Sequence, residues 1–499
     1  MIFLTIIIVA AALGGGVVYG FWLTLGALAF LFYLAVAWRW TQMAFYFLVA
    51  YLPFQAALNL SSDVDLMSGR ILILGLFGVW AVKELISYRK SLICHPELRL
   101  CGAKDISRMR DAHSGEILPP PLRGQNDSIY LKNNHILWVL VLFFILSVIS
   151  IFGAENQIWG LRKLLVFVSI FPLFFLTSAL IKDQKELYKL IYIVIGSAAV
   201  SAVIALAQFL AQFVFGADSV MIFWVSYIVP IFSGASFGSL VASNPSWLVN
   251  IGGQTIMRAI GLFPDPHALA FYLGLTSPFT LALAFFGSKH RSIFFTVYCL
   301  LLTVLFLTFS RGGYLGLLFS LAVFVFFAWQ RFDSKDKKFF GVTILLAAAI
   351  LLLVGWPVAS RLISSFDIQE GSNMGRLSIW QDSRQIIRKN PIIGVGLGNY
   401  SLAVSFNQDY RNAITSHNLY LDIWSEMGIL GLLAWLAVFL AAAREAQKRI
   451  KDNFILSIGC LSALAYFFTH SFFETAIFNP TVLAMLMVVL GLAVADYEG

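Results

Sequence analysis

The stretch Ser416 to Gly431 reads SHNLYLDIWSEMGILG and puts a histidine, an aspartate and a glutamate at the start of an apolar run. Hydrocarbon is a poor solvent for all three, so each needs a polar partner or a chemical role. Ser416 reads as a helix N-cap, which places His417 in the first helical turn. The positive end of the helix dipole and nearby arginines disfavour imidazolium there. A neutral imidazole can accept a proton near pH 7, the requirement for a general base; alternatively, His417 only hydrogen-bonds a loop. Asp422 and Glu426 fall one turn apart on a single helix face, where burial beside a polar partner competes with a catalytic role. Glu474, in FFETAIF, is a candidate for orienting a substrate hydroxyl.

A second group is basic. Arg162 and Lys163 open one apolar run, Arg258 precedes AIGLFPDPHALAFYL, Arg311 lies in FSRGGYLGLL, and Arg376, Arg384, Arg388 and Arg411 occupy a long polar segment. For Arg384, Arg388 and Arg411, snorkelling to lipid headgroups is the simpler reading. Arg162, Arg258, Arg311 and Arg376 come from separate elements at one membrane level. If they converge, their rigid forks of donors form an anion site suited to a diphosphate carried on a lipid.

Other patterns carry less chemistry. FPDPH offers no second acid for a divalent cation, and Asp265 between prolines shapes a helix start. GVGLGNY (394–400) reads as a tight turn rather than a nucleotide loop. Cys94 and Cys101 with His95 and His113 match no common zinc spacing, and Cys299 and Cys460 sit in apolar runs as small hydrophobes. No metal and no cofactor is expected.

The elements that must position these residues follow from composition. The chain has 499 residues, 60% hydrophobic and only 12% charged, more apolar surface than a water-soluble core can hide. It reads as an all-α polytopic membrane protein with about 12 to 14 transmembrane helices. The candidate spans lie near 2–15, 18–37, 42–59, 70–87, 135–152, 162–181, 187–215, 266–286, 291–309, 312–330, 339–356, 418–443, 453–472 and 478–496. The start MIFLTIIIVA lacks a basic leader and reads as a retained span. The formal charge of +8 reports orientation rather than nucleic acid. Short loops rich in Lys and Arg stay inside, which puts both termini in the cytoplasm and 357–417 outside.

The expected organisation is N-terminal spans over 1–87 and a basic cytoplasmic insert over 88–134, flexible against anionic lipid. Central spans follow over 135–356 with an outer loop near 216–265. A large periplasmic loop at 357–417 carries an amphipathic helix in GRLSIWQDSRQIIRKNP, and C-terminal spans close the chain over 418–499.

From about Arg258 to Pro480 the chain resembles the O-antigen ligase and O-antigen polymerase superfamily of bacterial membrane glycosyltransferases. The motifs are RAIGLFPDPHALAFYL, FSRGGYLGLL, GRLSIWQDSRQIIRKNPIIGVGLGNY, SHNLYLDIWSEMGILGLLAW and HSFFE, with His417 followed by Gly428 and Gly431. The resemblance implies metal-independent transfer of a glycan from undecaprenyl diphosphate to an acceptor hydroxyl at the outer face of the bacterial cytoplasmic membrane. It implies His417 as the active-site histidine, and Arg258, Arg311, Arg376 and Arg162 on the diphosphate. The acceptor is a growing glycan, lipid A core or a protein, so ligase, polymerase and protein O-oligosaccharyltransferase all remain open. The span count is nearer a polymerase than a ligase, and the 88–134 insert departs from the family pattern. A rival of another class is a flippase for lipid-linked oligosaccharides, which calls for ionisable groups at mid-membrane depth; here they crowd one interface.

Overall fold

The computed structural model describes residues 21–61, 64–94, 135–234, 245–251, 253–287, 290–338, 341–342, 345, 371–406, 408, 410 and 414–495. The spans expected at 2–15 and 339–356, most of the 88–134 insert, and Arg411 lie essentially outside these residues. The chain divides into two units, one of Met1–Ala44 with Gly75–Trp138 and one of Phe45–Leu74 with Val139–Gly499.

In chain order the elements are α1 (Phe21–Arg39), α2 (Thr41–Tyr51), β1 (Ala57–Ser61), β2 (Val64–Met67), α3 (Ser68–Cys94), α4 (His135–Phe152), α5 (Gln157–Ile170) and α6 (Pro172–Leu180). Then come α7 (Gln184–Phe215), α8 (Ala217–Phe223), α9 (Val229–Phe232), β3 (Leu248–Ile251), β4 (Gln254–Met257), α10 (Pro266–Phe286), α11 (Arg291–Leu307) and α12 (Arg311–Ala328). The last five are α13 (Gly371–Lys389), α14 (Tyr400–Val404), α15 (Leu419–Lys448), α16 (Phe454–His470) and α17 (Pro480–Val494).

This is an all-α polytopic membrane protein. Among the described residues, seven helices are long and apolar enough to cross a membrane, and six shorter apolar helices accompany them. Helices prevail because hydrocarbon offers no partner to an unsatisfied backbone group. Large apolar side chains such as Phe32, Val214, Phe215 and Phe326 stand exposed, as a lipid-facing surface requires.

Local chemistry trims several of the expected spans. The run expected over 42–59 is helical only to Tyr51; Pro53 sits in a 3-10 turn and the antiparallel β1–β2 hairpin follows. The run expected over 162–181 starts earlier, at Gln157 capped by Asn156, and is divided at Pro172, whose ring cannot continue the preceding ladder. A second antiparallel hairpin, β3–β4, lies within the segment expected to be a long loop.

In the smaller unit, Lys83 of α3 donates to Thr41 Oγ1 at 2.8 Å and lies over the Trp38 ring. In the larger unit, α10 is buried along nearly its whole length. It packs against α16 where Gly274 accepts the ring of Tyr466, whose hydroxyl donates to Ala270 O at 2.8 Å. The N-terminus of α10 therefore lies level with the C-terminus of α16. Gly316 of α12 packs on the same stretch of α16, which brings Ser310 and Arg311 to that level too.

Gly428 explains the glycine inside α15. Its φ of 70° and ψ of −174° kink the helix, and a Cβ there would collide with the carbonyl of Ile392. The opened backbone receives the GVGLGNY turn: Val395 N donates to Ser425 O, Gly396 N to Glu426 O, and Ile429 N to Pro391 O, each at 2.8–2.9 Å. That clamp ties the long polar segment to the helix that follows His417.

Candidate active site

Five of the residues marked by sequence line one cavity of about 620 Å³: Arg258, Arg311, Arg376, His417 and Glu474. They arrive from the end of β4, the start of α12, α13, the residues before α15 and the α16–α17 loop.

Arg258 sits on an extended segment held by two glutamines of α7. Gln212 exchanges hydrogen bonds with Met257 N and O, and Gln208 Oε1 accepts from Ile260 N. These side chains satisfy backbone groups that no ladder reaches. The buried Arg258 guanidinium donates to Thr308 O at 2.6 Å and Ser246 O at 2.7 Å. Carbonyls take these two donors without cancelling its charge.

Arg311 is the first residue of α12, after the N-cap Ser310. A cation at that end adds to the positive helix dipole instead of opposing it, an arrangement that favours a bound anion. Arg376, on α13, reaches Glu474 Oε2 at 3.8 Å. On the same amphipathic helix Ser383, Ile386 and Ile387 are buried, while Arg384 and Arg388 face outward.

His417 differs from the sequence expectation in place and in the direction of its pKa. The N-cap of α15 is Asn418, whose side chain accepts from Tyr420 N and Leu421 N. His417 thus precedes the helix, with a left-handed φ of 51°. Among the described residues only His290, Phe309 and His417 join a side chain to positive φ, and two of these flank the cavity. Such strain needs surrounding bonds to hold it. Ser416 N donates to Asp422 Oδ1, Trp380 Nε1 to Ser416 O, and Leu419 N to Ser471 O.

His417 Nδ1 lies 2.9 Å from Glu474 Oε1. The Glu474 charge raises the imidazole above its ordinary pKa, with burial opposing it in part. This runs opposite to the expectation that dipole and arginines disfavour imidazolium, because a carboxylate in contact outweighs cations further off. Burial pushes Glu474 up, but His417, His267 and Arg376 more than offset it and hold the carboxyl well below the usual range. Glu474, a supporting candidate by sequence, is the hub of the site.

Two histidines escaped the sequence reading. His267, the second residue of α10, lines the cavity and places Nε2 3.8 Å from Glu474 Oε2. Its Nδ1 is 2.9 Å from Ser310 Oγ, which lies 3.1 Å from His470 Nε2 at the end of α16. The spacing of His470 and Glu474 in HSFFE was the available signal. Asp265 caps α10 by accepting from His267 N and Ala268 N. Burial, with the Glu474 charge, pushes its carboxyl up to about 6.

The remaining candidates lie elsewhere. Arg162 does not line this cavity; its guanidinium lies 5.0 Å from the Tyr410 ring centroid. Glu426 pairs with Lys163 at 2.6 Å, and Asp422 bonds Ser416 N and Thr475 Oγ1. Lys163, Glu426, Tyr410 and Arg70 line an adjoining cavity of about 530 Å³, which shares Asp265, Thr475 and Asn479 with the first.

Residues 296–436 match the model of a family described as O-Antigen ligase. That segment includes Arg311, Arg376 and His417. A relative from Haemophilus influenzae, described only as an uncharacterized protein, is 21% identical over 242 residues, which is 43% of this chain and 60% of that protein. The chain therefore spans less than two thirds of that relative's length.

Proposed function

We propose that this chain, whose residues 296–436 match a family described as O-Antigen ligase, is a membrane glycosyltransferase that moves a glycan from undecaprenyl diphosphate to an acceptor hydroxyl. What supports this most is the meeting of Arg258, Arg311 and Arg376 with the His417–Glu474 pair in one cavity.

The guanidinium groups hold the diphosphate. As the bond from the anomeric carbon to the phosphate oxygen breaks, negative charge grows on that oxygen. Fixed donors stabilise it more in the transition state than in the ground state. His417, with Nδ1–H on Glu474, presents Nε2 to the acceptor hydroxyl and takes its proton. Glu474 orients the ring and strengthens it as a base. A single displacement inverts the anomeric centre, and two substrates held in one membrane supply proximity.

The adjoining cavity suits the acceptor. Its lysine is paired with Glu426, its Arg70 is tied to Ser169 and Leu165 O, and Tyr410, Phe263 and Phe478 line it beside Gln55, Ser401 and Thr415. Rings among amides and hydroxyls fit an uncharged sugar chain. The acceptor is a glycan, lipid A core or a protein. On this reading the site faces outward from the bacterial cytoplasmic membrane, since the basic stretches 331–338 and 444–452 adjoin the ends of α12 and α16 remote from the cavity.

The test is transfer by purified protein given only lipid-linked donor and acceptor. Arg311→Ala and His417→Ala each abolish product while the protein still inserts and accumulates. Full activity in either variant removes that residue from the mechanism. Among products in cells, loss of chain length with a single capped repeat marks a polymerase, and full-length polymer left on the carrier marks a ligase.

A further inference from the structure

Ser310 Oγ has one proton and three partners: Gly313 N, His267 Nδ1 and His470 Nε2. Gly313 N–H donates to it, so the hydroxyl donates to one histidine and accepts from the other. His470 decides which. Its Nδ1 is buried without a hydrogen-bond partner, and its ring is stacked on Phe271 at 3.7 Å between centroids. A ring N–H stranded at that position is the costlier alternative, because orphaned buried donors are the rarest unsatisfied groups. His470 therefore carries its proton on Nε2 and donates to Ser310. Ser310 then donates to His267 Nδ1, and the His267 proton sits on Nε2.

The far side of His267 gives the same answer independently. Nε2 faces Glu474 Oε2 at 3.8 Å, where a lone pair would oppose a carboxylate and an N–H is attracted to it. At 3.8 Å that N–H is too far for a full hydrogen bond, so it remains available to a ligand atom in the cavity. Glu474 thus faces two histidines in opposite senses. His417 turns Nδ1–H to it and leaves an Nε2 lone pair, while His267 turns Nε2–H to it and to the cavity.

We propose that His267 is a further catalytic residue, a neutral imidazole whose Nε2–H donates to the departing diphosphate, held in that tautomer by Ser310 and His470. The idea rests on the glycosyltransferase reading above. In the step, the acceptor O–H proton goes to His417 Nε2 and the acceptor oxygen bonds the anomeric carbon. The bond from that carbon to the phosphate oxygen breaks, with its electron pair left on the oxygen. The His267 proton stays on nitrogen and hydrogen-bonds that oxygen. Ser310 and His470 are positioning residues.

Two measurements test this. In protein labelled with ¹⁵N-histidine, at a pH above the raised His417 pKa, ring shifts report each tautomer; the chain has seven histidines, and His267→Gln and His417→Gln assign the pair. His267 is expected with a protonated Nε2 and His417 with a protonated Nδ1, and Ser310→Ala mixes the His267 tautomers. The same tautomer for both rings overturns the proposal. Farnesyl diphosphate then serves as a leaving-group probe. His267→Ala weakens its binding about ten-fold or more, as for a hydrogen bond to a charged group. His267→Gln, whose amide places a donor near Nε2, stays within about three-fold. If the wild type binds and Arg311→Ala weakens binding while His267→Ala does not, the His267 role falls and the diphosphate site stands. If the wild type does not bind the probe, both fall.

Discussion

The two adjoining cavities hold similar residue types in different balance. The larger carries three guanidinium groups, Arg258, Arg311 and Arg376, against the carboxylates Asp265 and Glu474. The smaller carries Arg70 and Lys163 against Asp265 and Glu426. In the smaller, Lys163 and Glu426 meet at 2.6 Å, and Arg70 donates Nε to Ser169 and Nη2 to Leu165 O. In the larger, Arg258 donates to carbonyls, Arg376 stands 3.8 Å from its carboxylate, and Arg311 reinforces a helix N-terminus. Basic residues at a membrane boundary can thus be internal ties or, on the function proposed above, an anion site. Arg70 and Arg258 both donate to uncharged oxygens, so the contrast rests on the direct Lys163–Glu426 contact and on the number of guanidinium groups gathered in each cavity.

The largest effects should fall on the larger cavity. Arg311→Ala and His417→Ala are each expected to lower transfer by about 10³-fold or more, since oxyanion donors and general bases each reach that range. Product formation by purified protein, normalised to folded chain, checks this. Equal losses from Lys163→Ala at unchanged stability would erase the distinction between the cavities.

Glu474→Gln sharpens it through pH. The Glu474 charge raises His417, and a base works only unprotonated, so wild-type kcat/KM rises as pH passes upward through that raised pKa. Removing the charge lowers the His417 pKa and moves the acid limb to lower pH, while the rate above it falls roughly ten- to hundred-fold as the ring loses its orienting partner. An acid limb that stays in place would detach Glu474 from the base.

The smaller cavity should answer in stability. Lys163→Ala strands Glu426, which is 2% exposed, and is expected to cost on the order of 2 kcal/mol, with the partly exposed lysine reducing the full penalty of a broken buried pair. Replacing both residues by Met and Leu recovers most of that loss in thermal unfolding in detergent. Smallest is Arg162→Ala, which removes a cation–π contact worth about 0.5–1 kcal/mol. Transfer should stay within about two-fold, and a larger loss would return Arg162 to the diphosphate.

The sequence exposed the features that depend on type and local order. Long apolar runs required membrane helices, Asp265 between prolines read as a helix start, and three of the four marked arginines do share a cavity. What escaped it depends on separation in the chain. Ser310 joins His267 to His470 across two helix contacts, and no local pattern announces a hydroxyl between two imidazoles. The direction in which the His417 pKa moves was hidden for the same reason. The dominant neighbour of His417, Glu474, is 57 residues away, whereas the dipole and arginines could be read nearby. Ser416 looked like a cap because it is a good one; Asn418, two residues on, takes that place and leaves His417 outside the helix.

The central claim is that three guanidinium groups form the diphosphate site and the neighbouring cations do not. The direct measurement is a titration of farnesyl diphosphate against the purified chain and its Arg311→Ala, Arg376→Ala and Arg70→Ala variants at matched ionic strength. The first two should weaken binding about ten-fold or more, as expected for charge-assisted contacts to phosphate, and Arg70→Ala should bind as the parent does. Equal affinity in all four proteins, or a loss centred on Arg70, would contradict the account.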